Sequence, residues 1–558
     1  MPSGGTESSH MHTESLRSHG IRMLLGWAAA IPVFVSVSGQ PAEKADYILL
    51  NGKIFTASVA QPYVNALATR GERIIALGTA EQMTAFASAT TTRLDLHGRV
   101  VVPGLNDAHY HFSPTPAEYR LEFSSQDPAW DEVKTRIANA VMTVPRGTSI
   151  IGSTGVRIWA EEGINRATLD ALAPDYPVRL VTSTNHTSIF NSAFMRRIGI
   201  GEREPDPQGG SFSRDPDGKL TGRAMEYANF RLSAKLQQMT PEAVALDEAK
   251  QFFAQAMHFG ITSVQTMAMG SRDQIASLLR QAGSPVRIRV INYLLAGPEQ
   301  PIVPPPQRRG GNVTVSGLKW VIDGTFSERS GALRQPYADD NSTSGGENFD
   351  QPQMEAMLRE ARHSGEQLLV HIVGDRGVSD FLNAMIATGG RAVWSERRVR
   401  IEHGEGILPD LVTSAMEMGV VVVQNPTHFT LGPVLMTRYG AQRAADSQPF
   451  RSLQQAGIRL AIGSDGPLNP FVNLMFASKN PFRPLESLTR AEAVTAYTLG
   501  AAYAEFAERD KGSLEVGKLA DLAVLSQDIF EVPETELPKT ESTLTMVGGK
   551  IVYRRAGN

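Results

Sequence analysis

In residues 101–112, VVPGLNDAHYHF, an apolar run and a Pro-Gly break lead into His109 and His111. Side chains two apart share a face on an extended chain and diverge on a helix, so on a strand this pair can grip one object. Imidazole ligates divalent metals near neutral pH, and two converging rings make half of a four-ligand site. Taken alone, the pair also fits a loop with two polar histidines. Other residues of the same kind decide between the two. Lys319 lies in LKWVIDG (318–324), His371 in LLVHIVG (368–374), His403 ends VRIEH (399–403) and Asp465 ends LAIGSD (460–465). One buried histidine is an ordinary hydrogen-bonded core residue. Several histidines and an aspartate at the same end of successive apolar runs read as a metal site.

The elements that position them alternate. Apolar runs at 261–267, 288–294 and 421–426 join the four above, and with the VVPG run they number eight. Helical spacing separates the later ones, at 353–363 and more faintly at 450–456. Strands that are apolar throughout and alternate with helices predict a parallel sheet covered on both faces. Eight of them fit an α/β fold, a distorted (β/α)8 TIM barrel whose chemistry sits at the C-terminal strand ends. Residues 115–257 are too long for one crossover and carry strand-like runs such as 178–183, so they read as an insertion after the first strand. The two chain ends share another habit. YILLNGKIFT (47–56) predicts a hairpin about an Asn-Gly turn, and short strands follow at 74–77, 93–96, 521–525 and 544–553. Together they predict a small β-sandwich built from both ends. The expected organisation is a leader at 1–42, the first part of the sandwich at 43–102, the barrel at 103–505 with its insertion at about 115–257, and the rest of the sandwich at 506–558.

Bulk properties narrow the function. The 558 residues are 41% hydrophobic and 20% charged with a net charge of −4, which gives no excess for a polyanion, so nucleic acid is not an expected partner. There is no cysteine, which excludes thiolate-held zinc, thiol nucleophiles and disulfides. Any metal is held by nitrogen and oxygen. Arg17 and Arg22 precede the apolar segment 23–37, MLLGWAAAIPVFVSV, which has the order of a secretory signal peptide and is short for a membrane span. The expected location is periplasmic or secreted, without stable membrane insertion, the alternative being a retained anchor. Loops at 298–311 and 327–348 read as surface connections able to cover a site. A homo-oligomer stays open.

PGLNDAHYH resembles the first-strand signature of the amidohydrolase superfamily. LKWVIDG with GALRQPY, HIVGD, RIEH, QNPTH and GSDGP resemble the branch of N-substituted formamide deformylases, amidohydrolase family 3. NHTSIFNSAFMRRIGI, DPDGKLTGRAMEYA and GSLEVGKLADLAVL are similar to that branch too, so the likeness runs from about residue 46 to 553. It implies His109 and His111 on one metal, His371 and His403 on a second, and Asp465 touching the first. Lys319 matches a lysine that is carboxylated by CO2 in binuclear members so that its carbamate bridges both metals. The alternative is an ordinary ammonium beside one metal. Two zinc ions are the default, with manganese, iron or cobalt fitting the same donors. Metal-activated hydroxide would attack a carbonyl, with Asp465 as general base and then general acid. His186 matches a position that reaches over the barrel mouth to the substrate carbonyl. His428 would line the pocket, with Trp159, Phe326 and Phe429 as its walls. Asp323, Asp375 and Arg376 would orient the ligands by hydrogen bonds. The implied reaction is hydrolysis of a non-peptide carbon–nitrogen bond in a small N-substituted amide or formamide. The alternatives are a carbamate, ester or lactone hydrolase on the same site, and a catalytically inactive exported binding protein.

Overall fold

The computed structural model describes residues 43–116, 119–295 and 311–556. The leader expected at 1–42 and residues 298–310 of the proline-rich loop lie outside the described residues. One parallel sheet carries β1 (Leu105–Tyr110), β2 (Ile261–Met269), β3 (Arg287–Tyr293), β4 (Val313–Val321), β5 (Leu368–Ile372), β6 (Arg400–His403), β7 (Val421–Gln424) and β8 (Arg459–Ile462), side by side in that order. It is an almost closed barrel, as the alternation of strands and helices predicts. At the seam between β8 and β1 the ties come from the loop beyond β8. The Asp465 amide donates to the His109 carbonyl at 2.8 Å, and the Ser464 amide donates to the Asp107 carboxylate at 2.9 Å. The ends of the two strands that carry His109 and lead to Asp465 are therefore fixed to each other directly.

Local sequence accounts for the covering helices. In Gln351–Ser364, Asp350 caps the first turn and exchanges bonds with Gln353, and Gly365 ends the helix in the left-handed region at φ 73°. Met354, Met357, Leu358 and Ala361 recur at helical spacing and are the buried face. Full burial of each of the larger three is worth about 1.5–3 kcal/mol. Inside the barrel the packing is small: Ala108, Val421, Val423 and Ala461 meet Ala501 and Ala504 of the C-terminal helical segment. Gln265 and Gln367 donate to the carbonyls of Ala501 and Ala504 at 2.9 and 3.0 Å, which leaves the helix end hydrogen-bonded although it is buried.

Two strand expectations change. The VVP run, Val100–Pro103, is not the first barrel strand. It lies in a six-stranded sheet between Lys53–Phe55 and Leu522–Leu525. The chain crosses into the barrel at Gly104, so β1 starts only at Leu105. Tyr47–Leu50 and Lys53–Phe55 are not a hairpin either. The first pairs with Ala66–Arg70 and Thr92–Asp95 in a four-stranded sheet, the second with Tyr63–Val64 and Val100–Pro103. Asn51, at φ 57°, turns a corner between two sheets rather than reversing one strand on the next. Its side chain donates to Asp95 at 2.9 Å, and Leu96 fills the space beside Gly52. The segment after β1 folds its own six-stranded sheet, in the order Gly210–Arg214, Leu220–Glu226, Thr187–Phe190, Val178–Thr182, Ile150–Thr154 and Tyr119–Leu121.

The seam makes one position unusually intolerant. A Cβ on Gly463 would stand 2.4 Å from the His109 nitrogen and 2.5 Å from its Cβ, so strand and ligand would have to move apart. Gly463→Ala is expected to cost about 1–3 kcal/mol, read as a lowered thermal midpoint, and to weaken metal uptake in the protein that stays folded. A variant with unchanged metal uptake would refute this account of the seam.

Candidate metal centre

The strand-end residues meet at the C-terminal mouth of the barrel, in the floor of a cavity of about 680 Å³. The Nε2 atoms of His109 and His111 lie 3.2 Å apart, and Asp465 Oδ1 is 3.5 and 3.3 Å from them. One ligand atom each from His109, His403 and Asp465 falls within 4.8 Å of the others. The His371 and His403 rings are 4.3 Å apart between centroids, and His403 and His109 5.0 Å. Lys319 lines the same cavity, its Nζ buried without a hydrogen-bond partner. Strand alternation explains His109 and His111 on one face. It does not explain Glu402 and His403, adjacent yet both turned inward. His403 has φ 70° and Asp465 φ 52°, a sparsely populated backbone region for such residues, and these two turns aim both side chains at the centre.

Three of the four strand-end histidines are held by the nitrogen that faces away from that centre, while His111 Nδ1 is buried without a hydrogen-bond partner. His109 Nδ1 contacts Glu402 at 2.6 Å, and His403 Nδ1 contacts Asn425 Oδ1 at 2.8 Å. Asn425 is itself fixed by donating to the Gly463 carbonyl at 2.9 Å. His371 Nε2 meets the Gly324 carbonyl at 3.3 Å. His109 and His403 therefore present Nε2, and His371 presents Nδ1. Above them His186 Nδ1 meets Glu226 at 2.8 Å, while His428 bridges Glu405 at 2.7 Å and Asp465 Oδ2 at 3.3 Å.

The electrostatics suit cation binding. Burial, then the Lys319 charge, brings His109 down to about 4, and burial holds His371 and His403 well below the usual imidazole range. All three are neutral donors at pH 7. Burial pushes Lys319 down to about 8. Asp465 resists its burial and stays well below the carboxylate range because His109, His111 and His428 surround it. Against burial, Asp465 and Glu405 raise His428 to about 10, and Glu226 raises His186. The two histidines over the site favour the protonated form, and the three beneath it favour the neutral one.

His186, His428 and Phe326 line the cavity together with the six strand-end residues. Trp159 does not. It stacks under Arg223 at 4.1 Å in a separate surface cleft, and its carbonyl accepts from that arginine. Phe429 is core rather than wall, packed against Phe450, Phe476 and Phe482. Asp323, Asp375 and Arg376 touch no ligand side chain. Asp323 accepts the amides of Val373, Gly374 and Ala332 and so holds the turn that follows His371. Asp375 bonds the Arg334 amide at 3.1 Å and Arg376 pairs with Glu347 at 2.8 Å. The orienting groups are instead Glu402, Asn425, Glu405 and Glu226. The first two and the last stand inside RIEH, QNPTH and AMEYA, but which of them reaches which ring depends on register that spacing does not carry.

Known proteins are similar to this chain. A model of the amidohydrolase family matches residues 93–553. The chain is 27% identical over 549 residues to the protein LONG AFTER FAR-RED 3 of Arabidopsis thaliana, covering 91% of this chain and 92% of that one. It is also 27% identical over 549 residues to the N-substituted formamide deformylase of Arthrobacter pascens, covering 92% and 99%. Among solved structures, an uncharacterized metal-dependent hydrolase from Pyrococcus horikoshii superimposes with a TM-score of 0.66 at 21% identity, over 88% of this chain and 99% of that one.

If Asn425 fixes the His403 ring, Asn425→Leu will loosen it. Metal affinity is expected to fall about 10–100-fold, measured by titrating metal-free protein against a competing chelator. Affinity equal to that of the parent would remove Asn425 from the site.

Proposed function

Because the chain belongs to the amidohydrolase family and is a hydrolase of carbon–nitrogen bonds that depends on a divalent metal, we propose that it hydrolyses a small N-substituted amide or formamide to an amine and an acid. The observation that carries the reading is the convergence of His109, His111, His371, His403 and Asp465 about the unpartnered Nζ of Lys319. A buried ammonium with no acceptor is costly, and a carbamate at that nitrogen would replace it with an anion between two cation sites. His109, His111 and Asp465 would hold one zinc, His371 and His403 the second, and the Lys319 ammonium, after adding CO2 and losing two protons, would supply a carbamate to both. All donors are nitrogen or oxygen, in keeping with a chain that has no cysteine. A bound divalent cation supplies acidification of water and polarisation of a carbonyl oxygen.

The chain's own residues supply the proton steps. Asp465 is ionised, with Oδ1 toward His109 and His111 and Oδ2 held by His428. It takes the proton of the attacking water and returns it to the departing nitrogen. His186, anchored through Nδ1 by Glu226 and lining the cavity, donates from its other nitrogen to the substrate carbonyl oxygen as negative charge grows there. Water adds across the carbon–nitrogen bond, and no covalent enzyme intermediate is needed. The deformylase relative supports the choice of amide substrate. We further propose export by the leader, which the order Arg17, Arg22 and the apolar segment 23–37 supports.

Protein purified without chelator is expected to carry about two metals per chain and to hydrolyse N-formyl and N-acetyl amines, whereas Lys319→Ala loses metal and activity together. Metal in Lys319→Ala equal to the parent would reject the carbamate. In Asp465→Asn, kcat is expected to fall by roughly 10²–10⁴. A loss smaller than tenfold in metal-loaded Asp465→Asn would assign the proton steps elsewhere.

A further inference from the structure

Arg400 is fully buried in the barrel interior, two residues before Glu402 on β6. Its guanidinium is used at every edge. Nε donates to Glu402 Oε1 at 2.7 Å and Nη2 to Oε2 at 2.9 Å, a two-point clamp on one carboxylate. Nη2 also donates to the carbonyl of Ala108 at 2.7 Å, and Nη1 to the side-chain oxygen of Gln265. Two of these contacts converge on one ligand. Ala108 is the residue before His109, and Glu402 Oε2, which the arginine holds, is the atom that meets His109 Nδ1 at 2.6 Å. The arginine thus grips the backbone leading into His109 and the acceptor on the far side of its ring.

We propose that Arg400 is a positioning residue for the metal centre, setting the place and tautomer of His109 through Ala108 and Glu402. The inference rests on His109 being a metal ligand. Several features separate this role from that of an ion pair filling a core. Ala108, Val421, Val423 and Ala461 fill neighbouring positions with small apolar side chains. An apolar residue in place of a buried pair often leaves stability unchanged or higher. Glu402 without its two-point clamp would be free to rotate away from His109. That rotation removes the acceptor that keeps Nε2 of His109 free of hydrogen. Lysine would not substitute, since a single ammonium cannot span two carboxylate oxygens and a carbonyl in one plane.

The test compares metal-free parent, Arg400→Lys and Arg400→Met, each titrated with zinc against a chromophoric chelator, with thermal melting of the metal-free forms and the visible spectrum of the cobalt-loaded forms. In Arg400→Met the affinity for at least one metal is expected to fall about 10–100-fold in protein whose metal-free form still melts cooperatively, with an altered cobalt spectrum. Arg400→Lys should regain only part of the loss. Zinc affinity and cobalt spectrum identical to the parent in a folded Arg400→Met would overturn the proposal and leave Arg400 a core residue. If Arg400→Met does not fold, Arg400→Met combined with Glu402→Gln, which leaves no unpaired charge, is read by the same two outcomes. A parent that binds no zinc would instead overturn the ligand assignment, which is a separate failure.

Discussion

A neutral imidazole has one lone pair and one N–H, and a cation site built from such rings works only if every N–H is directed away from the centre. That constraint organises three of the four rings under the site, His111 Nδ1 being the one without an acceptor. Glu402 receives His109, Asn425 receives His403 and the Gly324 carbonyl receives His371. Each acceptor is in turn fixed: Glu402 by Arg400, Asn425 by its bond to Gly463, and Gly324 by the loop in which Asp323 ties three amides. The bonds to the Glu402 carboxylate are charge-assisted and contribute about 1.5–3 kcal/mol each, while a buried carboxylate without a partner is strongly destabilising. The acceptors must therefore be installed together with their own supports, and the polar interior under the site follows from the orientation of its rings.

The same demand shapes the backbone. β1 and β8 do not need a full ladder, because the loop after β8 lays its amides on Asp107 and on the His109 carbonyl. Asp107 spans the seam: its other oxygen accepts the Tyr497 hydroxyl at 2.9 Å from the C-terminal helical segment. His403, Asp465 and Glu226 all have positive φ, each with an energetic cost of about 1–3 kcal/mol that surrounding bonds must offset. These turns are found where a side chain has to leave the alternation of its strand to face the centre, and Glu226 is the residue that holds His186.

How far the sequence can be read follows from these facts. Residues that obey strand periodicity, such as His109, His111 and His371, are legible because position in an apolar run fixes their face. The alternation of strands and helices reveals the barrel for the same reason. Glu402 beside His403 is not legible, since alternation predicts that only one of the two points inward and only the φ of 70° at His403 resolves it. Trp159 and Phe429 are aromatic, near motifs and plausible as walls, but Arg223 claims one and a phenylalanine cluster the other. Asp375 and Arg376 come four and five residues after His371 and turn away from it as the helix Asp375–Ala387 begins. The Asn-Gly pair misleads because a left-handed corner serves a change of sheet as well as a hairpin.

The insertion and the barrel are coupled at one carboxylate. Glu226 ends a strand of the inserted sheet, yet besides His186 its oxygens receive Ser330 at 3.2 Å and Asn348 at 3.4 Å, both from the connection between β4 and β5. The next residue, Tyr227, accepts the Val321 amide at the end of β4 at 3.0 Å. Glu328 of the same connection reaches Thr184, two residues before His186, at 2.5 Å. The height of His186 over the cavity is thus set by the strand that carries Lys319. Sequence changes elsewhere in the insertion can reshape the cavity wall at Leu121, Phe123 and Ser153 while this contact stays in place. Such a division separates the residues at the barrel mouth, tied to β4, from the part of the cavity wall that the inserted sheet supplies.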